Sequence, residues 1–220
     1  MSNLPGNEGK SKYVRETFNS IAKRYDLINT LMTLGLDKSW RRLVVKLSEL
    51  KEGGTGLDVC CGTGMLTIEQ ARAAGPAGKI TGLDFSENMI EVAQQNIRDF
   101  ALKENIWFVR GDATDLPFEN SFFDCATVGW GLRNVPNVFK AVQEMTRVVK
   151  PGGKVISLDM AQPTAPVFRE FYWLCFDRVI PAVGNLLSGN KKAYKYFYSS
   201  ARGFMRQKEL ADLFAQAGLA

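Results

Sequence analysis

From residue 55 onward, short apolar runs alternate with stretches whose apolar residues recur every three or four positions. The runs TGLDVCC (55–61), KITGLDF (79–85), NIWFVRGD (105–112), CATVGWG (125–131) and KVISLDM (154–160) read as strands. Several are apolar throughout rather than alternating, the pattern of strands covered on both faces. Between them, 65–74, 87–101 and 138–149 read as helices, and the last sets Val138, Val142, Met145 and Val149 along one face. Ser86 stands where it can cap the second helix. Gly75 with Pro76, Leu116 with Pro117, and Pro151 with Gly152 and Gly153 punctuate the units.

This alternation predicts a doubly wound, Rossmann-like α/β sheet. Such sheets bind ligands beyond the carboxyl ends of their strands, at the switch point of the strand order. A site is therefore expected near residues 60–64, 84–86, 112–113 and 129–134. Four stretches are expected around it: an N-terminal helical segment over 1–50, the α/β core over 51–161, an aromatic-rich helical insertion over 162–204, and a final helix over 205–220.

The 220 residues suit a single domain, 45% apolar and 23% charged. A net charge of +5 is too even-handed for a nucleic-acid tail. The chain contains no histidine. That excludes a Ser-His-Asp triad, a Cys-His pair, a histidine-ligated metal and any imidazole base. Cys60, Cys61, Cys125 and Cys175 show no CxxC spacing and read as reduced thiols, so a cytoplasmic setting is expected. The N-terminus lacks an apolar signal core, and the longest charge-free run, 179–190, contains a proline. It falls short of the roughly 18 apolar residues of a membrane-spanning helix.

Chemistry concentrates in LDVCCGTG (57–64), a strand running through a turn into a helix. Gly62, Thr63 and Gly64 let backbone amides approach a ligand at a helix start. Asp84, twenty residues after Gly64, ends the next strand, where a carboxylate can accept both hydroxyls of a ribose. Together these imply an adenosine cofactor without saying which. The dinucleotide fingerprint needs a third glycine beside the pyrophosphate, and Met65, Leu66 and Thr67 stand there instead. Asp58 is awkward beside a phosphate and less so beside a sulfonium ligand that carries an ammonium. In RGDATDLPF (110–118), Asp112 and the Ala113 amide stand where they reach an adenine edge. These features favour S-adenosylmethionine over a nicotinamide cofactor, the bland alternative being a glycine turn with carboxylates capping strand ends.

YDLINTLMTLGLDKSW (25–40) and RVVKPGG (147–153) resemble the two signatures of the menaquinone/ubiquinone-biosynthesis C-methyltransferase family. Ile28 stands where methionine is usual and Thr33 where serine is usual. GLRNV (131–135), SARGF (200–204) and DVCCGT (58–63) look like the menaquinone branch, and the resemblance covers roughly 13–218. It implies a class I S-adenosylmethionine-dependent fold and carbon methylation of a prenylated quinol, demethylmenaquinol becoming menaquinol. Thr63, Asp84, Asp112 and Ala113 are implied cofactor contacts, joined by Asp58, Gly62 and Gly64. A serine is often found in the family at the position of Gly129. Relatives usually continue past AGLA into two last strands, so those strands are expected to be missing here. The alternatives are a prenylated methoxybenzoquinol or another small aromatic acceptor, a nicotinamide-dependent oxidoreductase, and a non-catalytic binding module.

Methylating a ring carbon calls for a stabilised phenolate and alignment of carbon, methyl and sulfur. Arg133, always protonated, is the candidate for electrostatic stabilisation of the phenolate or for orienting a water. Asn134 and Tyr25 are candidates for hydrogen bonds to the acceptor oxygens, and Asp26 is a weaker candidate for taking the proton. No NPPY-like tetrapeptide and no suitably placed cysteine supports nucleic-acid methylation. The 168–187 stretch could line a trough for the prenyl tail. KKAYKYFY, with Lys191, Lys192 and Lys195, could touch an anionic membrane; a lid with solvated lysines is the plainer reading.

Overall fold

The computed structural model describes residues 7–160, 162–163, 170, 173–174, 196 and 199–220. Three helices come first: α1 (Asn7–Ile21), α2 (Tyr25–Met32) and α3 (Leu36–Leu47). The core then runs β1 (Thr55–Val59), α4 (Met65–Ala74), β2 (Lys79–Asp84), α5 (Glu87–Asn96), β3 (Ile106–Arg110), β4 (Phe123–Gly129), α6 (Val138–Val148) and β5 (Val149–Leu158). A last helix, α7, spans Gln207–Gln216.

All strand pairings are parallel and the order is β3-β2-β1-β4-β5. The order reverses between β1 and β4, which is the switch point. The apolar character of the central strands has its expected cause, since four of the five β1 residues and five of the seven β4 residues are buried. On one face Leu57, Val59, Ala126 and Val128 pack with Ala141, Val142 and Met145 of α6, and Leu213 and Phe214 of α7 close over them. On the other face Val44 and Val45 of α3 and Leu66 of α4 pack against Ile156 and Leu158.

Two helices end differently from expectation. The one expected over 87–101 stops at Asn96, because Ile97 and Phe100 turn inward onto Ile68, Ala71, Ile80 and Ile106. The one expected to reach residue 149 ends at Val148, and Val149 opens β5. Pro151 cannot continue a helix. Residues 150–153 bulge out between the pairings Phe123–Val149 and Cys125–Lys154. The helix expected over 65–74 has those bounds. Among the described residues the sheet has five strands. Most of 168–187 and 191–198, with all three lysines of the latter and Cys175, lies outside the described residues. No helix among the described residues is long and apolar enough to cross a membrane.

Candidate functional site

The two loops at the switch point are strained in the same way. Cys60, just after β1, and Trp130, just after β4, both have φ 55°, in the left-handed region that side chains other than glycine rarely adopt. Such strain persists where surrounding structure enforces it, and it concentrates at functional sites. The loops approach so closely that a Cβ on Gly131 would lie 2.5 Å from the Cβ of Cys60. Gly64, at φ 79°, caps α4, and a Cβ there would meet the ring of Phe108 at 2.9 Å.

Asp84, at the end of β2, faces this turn. Its Oδ2 accepts from the Gly62 amide (2.9 Å) and its Oδ1 from the Ser86 amide (2.8 Å). Each oxygen keeps a further lone pair. Burial pushes the carboxyl up to about 6, against the pull of those amide donors. Asp58 lies deeper, accepting from the Thr67 and Thr127 hydroxyls at 2.7 and 3.2 Å. Burial raises it further, to about 7. The thiols of Cys60 and Cys61 are held well above their ordinary value by burial and by Asp84, so neither is a ready nucleophile.

A cleft opens over these groups, and Gly62, Asp84, Asp112, Ala113, Gly129, Tyr25 and Asn134 all line it. Its enclosed part holds about 110 Å³, and it opens to solvent at its mouth. A shallower recess beside it is lined by Asp58, Thr63, Arg41 and Trp130, and Tyr25 borders both. The sequence-derived set thus converges: Gly62, Asp84, Asp112 and Ala113 on the cleft, Asp58 and Thr63 on the recess, and Gly64 at the start of α4. Asp112 Oδ1 is held by the Thr114 amide and hydroxyl at 2.8 and 2.9 Å.

The wall chemistry tests the cofactor. Among the described residues the cleft wall carries two carboxylates and no lysine or arginine. A pyrophosphate would meet uncompensated negative charge there. A ribose, which donates hydrogen bonds, and a ligand with cationic sulfur and ammonium groups fit it.

The helices before the core close the site. Thr63 donates to Asp26 Oδ1 at 2.7 Å, and Ser86 donates to Asn19 Oδ1 at 2.6 Å, tying α2 and α1 to the ends of β1 and β2. The Asp26 carboxylate, raised by burial, is thus turned to the cofactor loop. Phe18 and Tyr25 reach the cleft with their rings in a T-shaped contact, centroids 5.8 Å apart. Burial raises the Tyr25 hydroxyl, and the nearby Arg133 guanidinium opposes this. Asn134 accepts from the Tyr196 hydroxyl (2.9 Å) and donates to the Trp130 carbonyl (3.1 Å). Arg133 is not in the cleft wall. It sits behind Tyr25, its Nη1 paired with Asp159 Oδ1, both side chains 5% exposed. Arg133 Nε and Asp159 Oδ2 are buried without a partner.

Asp159 and Tyr196 are site residues that sequence reasoning misses, while Trp130 falls inside the expected 129–134 stretch without being singled out. Of the two missed, Asp159 carries a signal, as a carboxylate at the end of a strand on the ligand-binding side of the sheet.

Proteins of known structure and name share this architecture. A SAM-dependent methyltransferase from Thermotoga maritima superposes with a TM-score of 0.64 at 22% identity, covering 93% of this chain and 80% of that one. A demethylmenaquinone methyltransferase from Desulfitobacterium hafniense is 54% identical over 210 residues, 96% of this chain and 83% of that protein. One from Staphylococcus aureus is 43% identical over 215 residues, 98% of this chain and 88% of that protein. S-adenosylmethionine is the cofactor these likenesses and the cleft agree on. Residues 7–220 match the ubiE/COQ5 methyltransferase family, and the chain belongs to it.

Proposed function

We propose that this chain methylates a ring carbon of a prenylated naphthoquinol, demethylmenaquinol, the substrate class named in its relatives. The observation that carries the reading is one switch-point cleft whose lining brings together Asp84 and Asp112 with Tyr25 and Asn134. S-adenosylmethionine, when bound, supplies an electrophilic methyl group on a sulfonium. Asp84 would take its ribose hydroxyls, Asp112 and the Ala113 amide its adenine edge, and Asp58, Gly62, Thr63 and Gly64 its amino-acid end.

In the transfer, the ring-carbon–methyl bond forms while the methyl–sulfur bond breaks with its electrons left on sulfur. The ring C–H then breaks and one proton leaves to solvent. The acceptor is activated when one hydroxyl loses its proton, which concentrates charge on oxygen and ring carbon. Tyr25 and Asn134 present hydrogen-bonding groups to those oxygens. Arg133, one layer back, acts through Tyr25 as a positioning residue whose charge favours negative charge in the cleft.

Mass-spectrometric product detection tests this, with a reduced prenylated demethylnaphthoquinone and a methoxybenzoquinol in parallel. A ring-methylated naphthoquinol, absent with Asp84→Ala, is expected. Methylation of the benzoquinol alone would move the substrate to the ubiquinone side of the family.

A further inference from the structure

The large apolar side chains left in solvent concentrate on α2, α3 and the turn between them. Leu27 and Leu31 lie one helical turn apart on the outer face of α2, while Ile28 between them is buried. Leu34, at the turn, is 90% exposed. On α3, Leu36, Trp40, Leu43 and Leu47 are spaced four, three and four residues apart and share one exposed stripe. Asp37, Arg41, Val44 and Val45 of the same helix are buried. A contiguous apolar patch on a surface marks an interaction site, whereas scattered apolar residues need no explanation.

Charge decides what fits it. Between residues 22 and 48 the exposed charged side chains are Lys23, Arg24, Lys38, Arg42 and Lys46, all cationic. Both acids of the segment are turned inward, Asp26 to Thr63 and Asp37 to Arg41. Just past the stripe, the exposed Glu49 stands 3.9 Å from Lys154. An apolar stripe rimmed mainly by cations matches the boundary of an anionic bilayer, where leucines enter the acyl region and long basic side chains reach the headgroups. A second copy of this chain would bring cations against cations.

We propose that the α2–α3 hairpin is the surface by which this protein docks on an anionic membrane. The patch abuts the site. Trp40 packs on Trp130 with centroids 6.4 Å apart, and Trp130 borders the cleft that Tyr25, the first residue of α2, also lines. Docking there sets the cleft at the lipid boundary, so an acceptor dissolved in the bilayer can enter without crossing water.

Flotation of the full chain with vesicles tests the surface, independently of which acceptor is methylated. The protein is expected to float with equimolar phosphatidylglycerol and phosphatidylcholine, and far less with phosphatidylcholine alone. Leu34→Ser with Leu43→Ser, neither in the cleft, should reduce the floating fraction at least about fivefold. Cofactor affinity and the thermal midpoint should stay unchanged. Arg42→Gln with Lys46→Gln should weaken flotation and its salt sensitivity. Equal flotation of wild type and the leucine variant would overturn the proposal. So would a concentration-dependent dimer, lost in that variant, from a protein that ignores vesicles. Failure of the naphthoquinol assay with flotation intact would count against the acceptor alone.

Discussion

Asp84 is a buried carboxyl with backbone amide donors but no cation, and burial outweighs those donors, so its proton is held more tightly in the folded chain than in the unfolded one. Its ordinary value of 3.8 rises to about 6, and Asp58 shifts in the same direction to about 7. An acid raised by folding makes stability fall as pH rises between the unfolded and folded values. The ligand-free thermal midpoint should therefore gain from these groups on acidification from pH 7 toward 5, and Asp84→Asn should flatten that gain. Cofactor affinity should run the other way, because ribose hydroxyls bind the ionised form. Calorimetric titration should show it weakening by up to about tenfold per pH unit below 6. Without histidine, no imidazole masks these transitions. Arg133 illustrates a second residue-scale rule. Arg133→Ala leaves the buried Asp159 without its cation, which costs about 3–5 kcal/mol. Turnover should also fall at least about tenfold with cofactor affinity nearly unchanged. Replacing both by leucine should return much of the stability in urea unfolding and none of the turnover. Recovered turnover would show that Arg133 is purely structural.

At the scale of elements, α2 is held to the cofactor loop by a side-chain hydrogen bond between residues 37 apart in sequence, Thr63 to Asp26. Thr63→Val keeps the shape and removes the donor, leaving a part-buried carboxylate short of a partner at about 1–3 kcal/mol. Hydrogen exchange over Tyr25–Met32 should accelerate, and unchanged exchange would mean that apolar packing alone holds the helix. Elements bounded by local signals are legible in the sequence. Met65–Ala74 lies between Gly64 and Gly75, both at positive φ, and Ser86 caps α5 by accepting from the Met89 amide. The end of α5 is not legible, since Ile97 and Phe100 leave the helix for a pocket built by β2, β3 and α4. Nor is the start of β5 at Val149, which depends on pairing with Phe123.

For the whole molecule, the cleft joins parts of the chain far apart in sequence, so ligand binding should be felt as global stability. Cofactor at a hundred times its dissociation constant should add about 2.7 kcal/mol. For a chain of this size that raises the thermal midpoint by about 5–10 °C. Asp84→Ala should show little of that shift at the same concentration. The strand-end carboxylates, the glycine turn and the missing third glycine can be read directly, because a parallel α/β sheet places its ligand chemistry at strand ends that apolar runs announce. That the fold is doubly wound follows from strand–helix alternation for the same local reason. What sequence spacing cannot carry is how distant segments face one another. Arg133 reads in the sequence as a cation for the phenolate, but the aspartate 26 residues on that pairs with it is invisible to spacing. Asp26 reads as a weaker candidate for taking the proton, and its hydrogen bond from Thr63, 37 residues on, is invisible to spacing. The helical reading of residues 1–50 does not say which way the leucines of YDLINTLMTLGLDKSW face, and Leu27, Leu31, Leu34 and Leu36 lie in solvent. Helical periodicity marks an apolar face, but whether that face meets protein or something else depends on what packs beside it in three dimensions.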